Sequence, residues 1–586
     1  MSLPKSQLLE KLNDLIDGSI KDGGFSIDFL TEKIGISRSK LYRIVKESHN
    51  RSIGLYIRHR RLLKAKELLT SSELRVSEVA YAVGIDIPQN FSKYFTNAFS
   101  ISPSDYRKEA FIKIEEEQST TPKHSIAVLP FVNRGRQEQE YFSDGITEEI
   151  INALSQVSQI KVAGRTSSFR FKGKSPDLQE LGNLLDVNFI LEGSVRTSKD
   201  KLRITAQLIK VSDGFLMWSQ TFDRTIIDVF DIQEEISMAI LEEIKIKLLG
   251  DQKENVLKRS TNNTAAYQLY LQGRYFRYKM ADEKVFYKAI DFYRAAIQLE
   301  PDYAKAYAGI AQCYTQLWFL SELAPAKSVM LAKEAIEKAL TLDSYNAEAH
   351  NADAEVKLWY DWDFKSADIA FKKAKSLNPN LPELHMHYGR YFGFTKQYDL
   401  CDEHFESAIR LDPFSEIYYS NWGLMKWMQG DMEKALELAE KSIFKMDDFW
   451  GGFFLKALVC LEQKQYKEAL PFALNARNLY PSGNTIGLLA LVNIFLGEMD
   501  EAKVLIKEVE ERVASGLACN YDLAQLYIAT GEFLKAHACF EKAYELHEGR
   551  MLMIHQAFRR ARFFKESPEF RKFFDAVSEL SQKVSI

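Results

Sequence analysis

The C-terminal half of the chain repeats a small residue at intervals of 33 or 34 positions. The six residues are Ala367, Cys401, Ala435, Ala469, Ala502 and Ala536. In most units a second alanine stands seven positions later, on the same helix face, and in several units a proline follows that alanine by five positions. A unit this short cannot bury its apolar side alone, so the pattern predicts stacked helix pairs over residues 264–548.

This pattern resembles tetratricopeptide repeats, about eight of them. The resemblance implies an all-α solenoid with a groove that takes a protein or peptide partner. Aromatic side chains at helical spacing usually belong to a core, but they also serve as platforms for ligands, and the sequence leaves both interpretations open. The residues concerned are Trp318, Trp359, Trp362, Trp422 and Trp427. We expect residues 549–586 to form a capping helix.

The N-terminal region has the layout of two helix-turn-helix units. In the second unit, Gly84 suits a left-handed turn between two helices, and Pro88 suits the first position of the next helix. The first unit has its turn at Gly35, and a long helix from about Ile53 to Leu69 would join the two units. The outward residues of the two reading helices are Arg38, Ser39, Tyr42 and Arg43, then Gln89, Asn90 and Lys93. Such side chains bond base edges and phosphates.

Residues 1–110 therefore resemble the AraC-type DNA-binding domain. The residues that carry the resemblance are Ala80, Gly84, Phe91, Phe95, Phe99, Pro103, Tyr106 and Arg107. It implies that one protomer inserts a reading helix from each unit into successive major grooves of double-stranded DNA. By motif position, Ser39 and Arg43 read bases in the first unit, and Gln89, Asn90 and Lys93 do so in the second.

The distribution of charge agrees with this arrangement. The whole chain has a net charge of -4, yet residues 1–110 contain 18 Lys and Arg against 13 Asp and Glu. A basic surface neutralises phosphates, whereas an acidic remainder opposes unspecific adhesion to DNA. No apolar run approaches the roughly 18 residues that span a bilayer, and the N-terminus has no secretory pattern. We expect a soluble, cytoplasmic protein with no membrane contact.

After a linker at residues 111–124, the segment 125–250 mixes strand and helix patterns. It predicts an α/β or α+β domain, which resembles the TolB-like, or FlgO-like, domain. Asp144 or Thr147 would cap its first helix, with Asp144, Glu148 and Glu149 as first-turn charges rather than catalytic groups. A phosphate-binding loop ending at Gly173-Lys174-Ser175 is rejected, because residue 168 is serine where the first glycine would stand.

The cysteines and histidines of the chain give little support for catalysis or metal binding. The five cysteines are widely spaced and form no CxxC pair, so they indicate free buried thiols. His385 and His387 have no third ligand nearby in sequence. We predict no catalytic residues, no cofactor and no metal.

The favoured hypothesis is a transcription regulator with sensing or protein-interaction modules, and the alternatives are an interaction scaffold tethered to DNA and an enzyme in the middle domain. The oligomeric state stays open, with a homodimer among the options.

Overall fold

The structure is a computed structural model, and it falls into two compact units at residues 1–121 and 122–586. The residues that it describes are 12, 15–16, 26–49, 52–71, 74, 76–99, 102–104, 124–174, 176–198, 201–225, 229–246, 261, 263–279, 283–319, 325–446 and 448–553. Nearly all of the predicted linker and most of the predicted C-terminal capping region lie outside them. Residues Gly549–Met553 form a short 3-10 helix.

The first unit is helical. Its described helices are α1 (Ile27–Ile34), α2 (Arg38–His49), α3 (Ile53–Ser71), α4 (Val76–Ala82) and α5 (Pro88–Phe99). Gly35 and Gly84 occupy the two turns with φ of 76° and 73°, in the left-handed region that glycine enters without a steric penalty. The predicted turns are therefore confirmed, as is the long helix between the two helix pairs.

The middle of the chain folds around a mixed sheet. Its strands are β1 (His124–Val128), β2 (Val132–Asn133), β3 (Ile160–Val162), β4 (Phe189–Ser198), β5 (Lys201–Lys210) and β6 (Leu216–Thr225). The spatial order is β3-β1-β4-β5-β6, with β2 beside β4. Strand β1 pairs parallel with β3 and β4, whereas β4, β5 and β6 pair antiparallel. The sequence predicts a turn at residues 198–201 that joins two strands into a hairpin, and the antiparallel pairing of β4 with β5 confirms it.

Within the described residues four helices accompany this sheet: α6 (Glu140–Ser155), α7 (Arg165–Phe169), α8 (Leu178–Leu185) and α9 (Val229–Glu243). Strand β1 supplies apolar side chains to both faces, since Ile126 belongs to the large core that includes α6 and α9, whereas Ala127 belongs to a smaller core with α8. This is the alternation expected of a central strand that is covered on both sides.

From residue 264 the described residues form eight successive helix pairs. The pairs are α10 (Thr264–Arg277) and α11 (Glu283–Leu299), α12 (Ala304–Phe319) and α13 (Pro325–Leu342), α14 (Ala347–Val356) and α15 (Phe364–Leu377), α16 (Pro382–Phe394) and α17 (Tyr398–Leu411), α18 (Glu416–Gln429) and α19 (Met432–Lys445), α20 (Trp450–Glu462) and α21 (Tyr466–Leu479), α22 (Gly483–Leu496) and α23 (Met499–Ala514), and α24 (Asn520–Thr530) and α25 (Phe533–Glu545). All six repeated small residues are buried in the second helix of a pair, which confirms the predicted helical solenoid.

A π-helical turn at Lys357–Asp361 ends α14 and places Trp362 in a left-handed conformation with φ of 53°. The Trp362 ring stacks on His547 at 4.6 Å between ring centroids. His547 Nδ1 also lies 2.8 Å from the Tyr360 carbonyl oxygen. The third helix pair therefore contacts the segment that follows the eighth pair.

The middle domain packs directly on the helix pairs, and one continuous apolar core extends through both. Asn380, before α16, donates through Nδ2 towards the carbonyl oxygens of Ser155, Val157 and Ile160 at 2.9 to 3.2 Å. This amide satisfies main-chain acceptors at the end of α6 and the start of β3. The sequence separates these regions as two domains, whereas in the fold they form one compact unit.

Candidate functional site

The first reading helix, α2, presents the polar face that the sequence predicts. Ser37 caps it, since its Oγ accepts a hydrogen bond from the Lys40 backbone N–H at 3.3 Å. Leu41, Ile44 and Val45 are buried on the inner side. The predicted DNA-contacting residues on the outer side are exposed, namely Arg38, Ser39, Tyr42 and Arg43.

Arg38 differs from its neighbours because it is bound within the domain. Its Nε donates to Asp28 Oδ1 at 2.7 Å, and its Nη2 contacts the second Asp28 oxygen. Both side chains are more than half exposed, so water screens the pair and it contributes little to stability. Within the described ranges no ion pair engages Arg43, which is exposed.

The second reading helix, α5, buries Phe91 and Phe95 and exposes Gln89 and Lys93, while Asn90 is half-buried at the edge. Helical spacing predicts that Phe91, Phe95, Ala98 and Phe99 all face inward, and this is wrong for Ala98, whose side chain is exposed. Phe99 does face inward beside Phe95, with 4.8 Å between the two ring centroids.

Helix α3 holds the second turn and the second reading helix in place. Arg61 Nη1 donates to the Gly84 carbonyl oxygen at 2.8 Å. The Arg58 guanidinium lies 4.1 Å from the Tyr94 ring centroid, and Lys66 Nζ lies 4.6 Å from that of Phe99. These cation–π contacts join α3 to α5 along its length. Helix α3 therefore holds the second reading helix in position.

In the second unit, the acidic residues of α6 lie deeper in the helix than the sequence predicts. A short 3-10 turn precedes Glu140, and the helix begins at that residue, one turn early. Asp144 and Thr147 therefore do not cap it. The interpretation of Asp144, Glu148 and Glu149 as first-turn charges is also wrong, and all three are buried.

These buried carboxylates are matched by basic groups from two directions. Glu148 accepts from Arg165 Nε of the middle domain at 2.5 Å and from Arg274 Nε of α10 at 3.0 Å. Lys305 Nζ of α12 lies 2.6 Å from Glu149. Burial alone would raise the pKa of Glu149, but the charges of Lys305 and Arg274 lower that pKa below its ordinary value.

Asp144 occupies the outer end of the same cluster. Lys172 Nζ lies 2.6 Å from one of its oxygens. Burial raises the pKa of Asp144, and the ion pair with Lys172 opposes that rise. Together these contacts attach α6 to the first two helix pairs, which is a structural role that sequence reasoning missed.

A second contact between the middle domain and the helix pairs centres on Asp412, after α17. Its Oδ1 accepts from the Ser167 backbone N–H at 2.6 Å, and the Gly164 N–H donates to the Leu411 carbonyl oxygen at 2.7 Å. Ser167 Oγ accepts in turn from the Phe414 N–H at 2.9 Å. Burial raises the pKa of Asp412 to about 6 despite these donors.

The inner face of the helix pairs forms a partly open cavity of about 230 Å³, lined by first helices from α12 to α24. Trp359 and Trp427 contribute to its wall, so two of the predicted candidate platforms do lie at a cavity. Trp362 packs against His547 instead, and Trp422 Nε1 donates to Asp402 at 2.7 Å. The Trp318 side chain lies outside the described residues.

The other predicted candidates have local roles. His385 Nε2 lies 2.9 Å from the Pro379 carbonyl oxygen, and His387 Nδ1 lies 3.0 Å from Asn351 Nδ2. All five cysteines are free thiols, four of them buried. Among the described residues no group of three or more His, Cys, Asp or Glu is placed to hold a metal ion. No helix within those same ranges is both long and apolar enough to cross a membrane.

Comparison with known families assigns all three regions. Residues 30–109 match the family described as "Helix-turn-helix domain". Residues 122–239 match "HilA/YgeH-like transcriptional regulator, second domain", and residues 517–548 match "Tetratricopeptide repeat". The middle domain thus matches a regulator domain, whereas its resemblance to the TolB-like domain stays a prediction.

The regulatory protein SoxS of Salmonella typhimurium is 36% identical to this chain over 101 residues, which are 17% of this chain and 94% of that protein. The chain belongs to the AraC-type helix-turn-helix family. The Msm operon regulatory protein of Streptococcus mutans is 39% identical over 83 residues, which are 14% of this chain and 30% of that protein.

A third relative of this AraC-type protein has a different kind of name. The Rhizobium meliloti protein named "Putative adenylate cyclase 3" is 41% identical over 175 residues, which are 30% of each chain. This AraC-type chain therefore spans less than a third of the length of that protein and of the Msm regulator.

Proposed function

We propose that this protein is a sequence-specific DNA-binding transcription regulator in which α2 and α5 enter successive major grooves. The observation that carries the proposal is the pair of helices with buried apolar inner faces and exposed polar outer faces, joined by α3. Paired reading helices on one protomer suit two contacts about one helical turn of DNA apart. Membership of the AraC-type family supports the same assignment.

The outward side chains of α2 and α5 suit different groups of the DNA. Arg43 is exposed in mid-helix, and its planar guanidinium suits bidentate bonding to a guanine edge. Lys93 carries a compact point charge suited to phosphate, whereas Gln89 and Asn90 suit adenine. Arg38 would first have to leave Asp28, so we assign it to phosphate contact and give base reading in α2 to Ser39 and Arg43, with Tyr42 beside them.

We propose that the second unit senses a ligand or recruits a partner. Its support is the packing of the middle domain on the helix pairs, because a molecule bound in the solenoid would act on both parts together. A protein or peptide in the repeat groove and a TolB-like role for the middle domain belong to this proposal. A homodimer is compatible with it.

We also propose that the protein is not an enzyme and acts in the cytoplasm. The acidic residues of α6 are paired with Lys172, Arg165, Arg274 and Lys305, which accounts for them without catalysis. Five free cysteines suit a reducing compartment.

The proposal is tested by selecting bound DNA from a random library with the full-length chain at low salt. We expect enrichment of one site with two separate half-elements. Affinity for that site should fall with rising salt, since phosphate contacts release counterions. Recovery of no sequence above background would reject sequence-specific binding and leave the alternative of an interaction scaffold.

A further inference from the structure

The cavity inside the helix pairs is small and its wall comes from consecutive repeats. Its volume of about 230 Å³ lies below the roughly 300–1,000 Å³ of pockets that hold drug-sized ligands. It is too small for a folded partner but large enough for a compact organic molecule. Contact between Trp362 and His547 brings the third pair to the end of the eighth and closes the repeats around it.

Three polar atoms in the cavity wall are buried without a hydrogen-bond partner among the described residues. They are Asn484 Oδ1 on α22, and Asp522 Oδ2 and Gln525 Nε2 on α24. Buried polar groups are almost always hydrogen-bonded, because a lost partner costs the desolvation of the group. Asp522 is only 9% exposed, so bulk water does not replace the missing donor.

Asp522 lies in the first turn of α24, where Glu548 accepts from the Asn520 and Tyr521 backbone N–H groups at 2.9 and 3.0 Å. Burial raises the pKa of Asp522, while the charge of Arg550 and a backbone hydrogen bond with Cys519 oppose that rise. Arg550 Nη1 donates to Asp522 Oδ1 at 3.0 Å and leaves the second oxygen unmatched. Asp522 lines the cavity, and its second carboxylate oxygen is therefore buried without a hydrogen-bond partner among the described residues.

Two buried carboxyl groups lie near one guanidinium at this end of the cavity. Arg550 pairs with Asp522, and it also interacts electrostatically with Glu548. At the opposite wall Glu355 is balanced by Arg390, whose Nη2 lies 2.8 Å from its Oε1. Burial raises the pKa of Asp522 and of Glu548, and a further cation beside them would favour their ionised forms.

Aromatic rings complete the wall around that end. Trp427, Trp450, Phe454 and Tyr521 line the cavity together with leucines such as Leu488. Aromatic faces attract cations, and their apolar bodies favour a hydrocarbon or aryl group. An apolar wall with one unmatched carboxylate oxygen is suited to a molecule with an apolar body and a cationic head.

We propose that this cavity is a binding site for a small organic amine, whose protonated nitrogen donates to Asp522 Oδ2 and Asn484 Oδ1 while its apolar body packs against the aromatic wall. Gln525 Nε2 supplies a donor for an acceptor atom on the same molecule. This amine site would be the ligand site of the sensing role proposed above. Its effect on regulation rests on that proposed function, whereas amine binding itself does not. Binding itself is measured without DNA, so failure here and failure of DNA recognition are distinguishable.

The test is isothermal titration calorimetry of the full-length chain with three probes that share one aromatic body. Phenethylamine carries a cationic head, 2-phenylethanol a neutral head and 3-phenylpropionate an anionic head. We expect saturable binding of phenethylamine and at least about tenfold weaker binding of the other two, as a charge-assisted hydrogen bond is lost. Equal affinities, or no phenethylamine binding tighter than about 1 mM, would overturn the proposal.

Two variants test the contacts of the cationic head and of the apolar body separately. Asp522→Asn should weaken phenethylamine by about tenfold or more and change 2-phenylethanol little. Gly487→Leu fills the cavity from α22, where a Cβ would meet no atom within 4 Å, and should abolish binding without disturbing the ion pairs. Gly487→Ala is the matched control, with a melting temperature no lower than that of the wild type and only slightly altered affinity. Unchanged phenethylamine affinity in both Asp522→Asn and Gly487→Leu would place binding elsewhere and overturn the inference.

Discussion

Arg274 on the first repeat helix donates to Glu148 of the middle domain at 3.0 Å, and both side chains are almost fully buried, at 4% and 2% exposure. The two residues are 126 positions apart. A buried ion pair tolerates loss of one partner poorly, because the remaining charge is left in a medium of low dielectric. This pair therefore makes the attachment of the middle domain to the repeats sensitive to single substitutions.

Replacing Arg274 by methionine should lower the free energy of unfolding of the second unit by about 3–5 kcal/mol, since Glu148 is then buried without Arg274. Chemical denaturation measures the loss. Arg203→Met is the matched control, because the Arg203–Asp223 pair is about 60% exposed and screened by water, so its loss should change the free energy of unfolding far less. Adding Glu148→Gln to the Arg274 variant should recover part of the loss. Similar losses in the two single variants would contradict a buried attachment.

Gly164 should not tolerate a side chain. An added Cβ would lie 2.5 Å from Asp412 Cβ, whereas at Gly487 in the same unit it would meet nothing within 4 Å. We expect Gly164→Ala to destabilise the second unit and Gly487→Ala to leave it unchanged or stabilise it by about 0.5–1 kcal/mol through helix propensity. Thermal unfolding compares them. An unchanged melting temperature for Gly164→Ala would contradict close packing of Gly164 against Asp412.

Asp412 should make the stability of the second unit depend on pH. Its folded-state pKa is raised to about 6 by burial, so its contribution is fully present below about pH 4 and is lost as pH rises through 6. At pH 7.5 Asp412→Asn should be more stable than the wild type by up to about 3 kcal/mol, and the difference should vanish near pH 4. Asp500→Asn, at an exposed position, should show no such pH dependence. A constant difference for Asp412→Asn would contradict the raised pKa.

Local patterns predicted the parts of the fold that local physics determines. Gly84 could be placed in a left-handed turn because a glycine after an apolar helix face has few other uses. The repeated small residues located the solenoid because each must fit against a neighbouring helix. Ala98 was placed wrongly, since helical spacing put both Ala98 and Phe99 on the inner face and only Phe99 packs there.

The attachment between middle domain and repeats could not be predicted in this way. Glu148 and Arg274 each look like surface charges of an amphipathic helix until the fold brings them together. One sequence feature could have indicated the attachment. Gly145 is an unfavourable residue for the interior of α6, and it packs against Leu271 of α10. The cavity residues share this difficulty, because Asn484 and Asp522 meet only when consecutive repeats stack.

The two reading helices should respond differently to substitution. If Arg43 reads guanine, Arg43→Ala should cost about 1–3 kcal/mol and relax preference at one base pair. Lys93→Ala should weaken all sequences alike and reduce the salt slope by about one, as expected of a phosphate contact. Binding of the selected site and its single-base variants at several salt concentrations separates the two. Identical specificity profiles for wild type and Arg43→Ala would rule out base reading by Arg43.

The most direct test of the central claim is the affinity of the full-length chain for the selected site after its two half-elements are moved apart by about 5 base pairs, half a helical turn. Because α3 is fixed to the turn before α5 through Arg61 and Gly84, one chain should not reach both displaced grooves. We predict that affinity falls to the level of a single half-element. Unchanged affinity for the displaced site would contradict recognition by two rigidly joined readers.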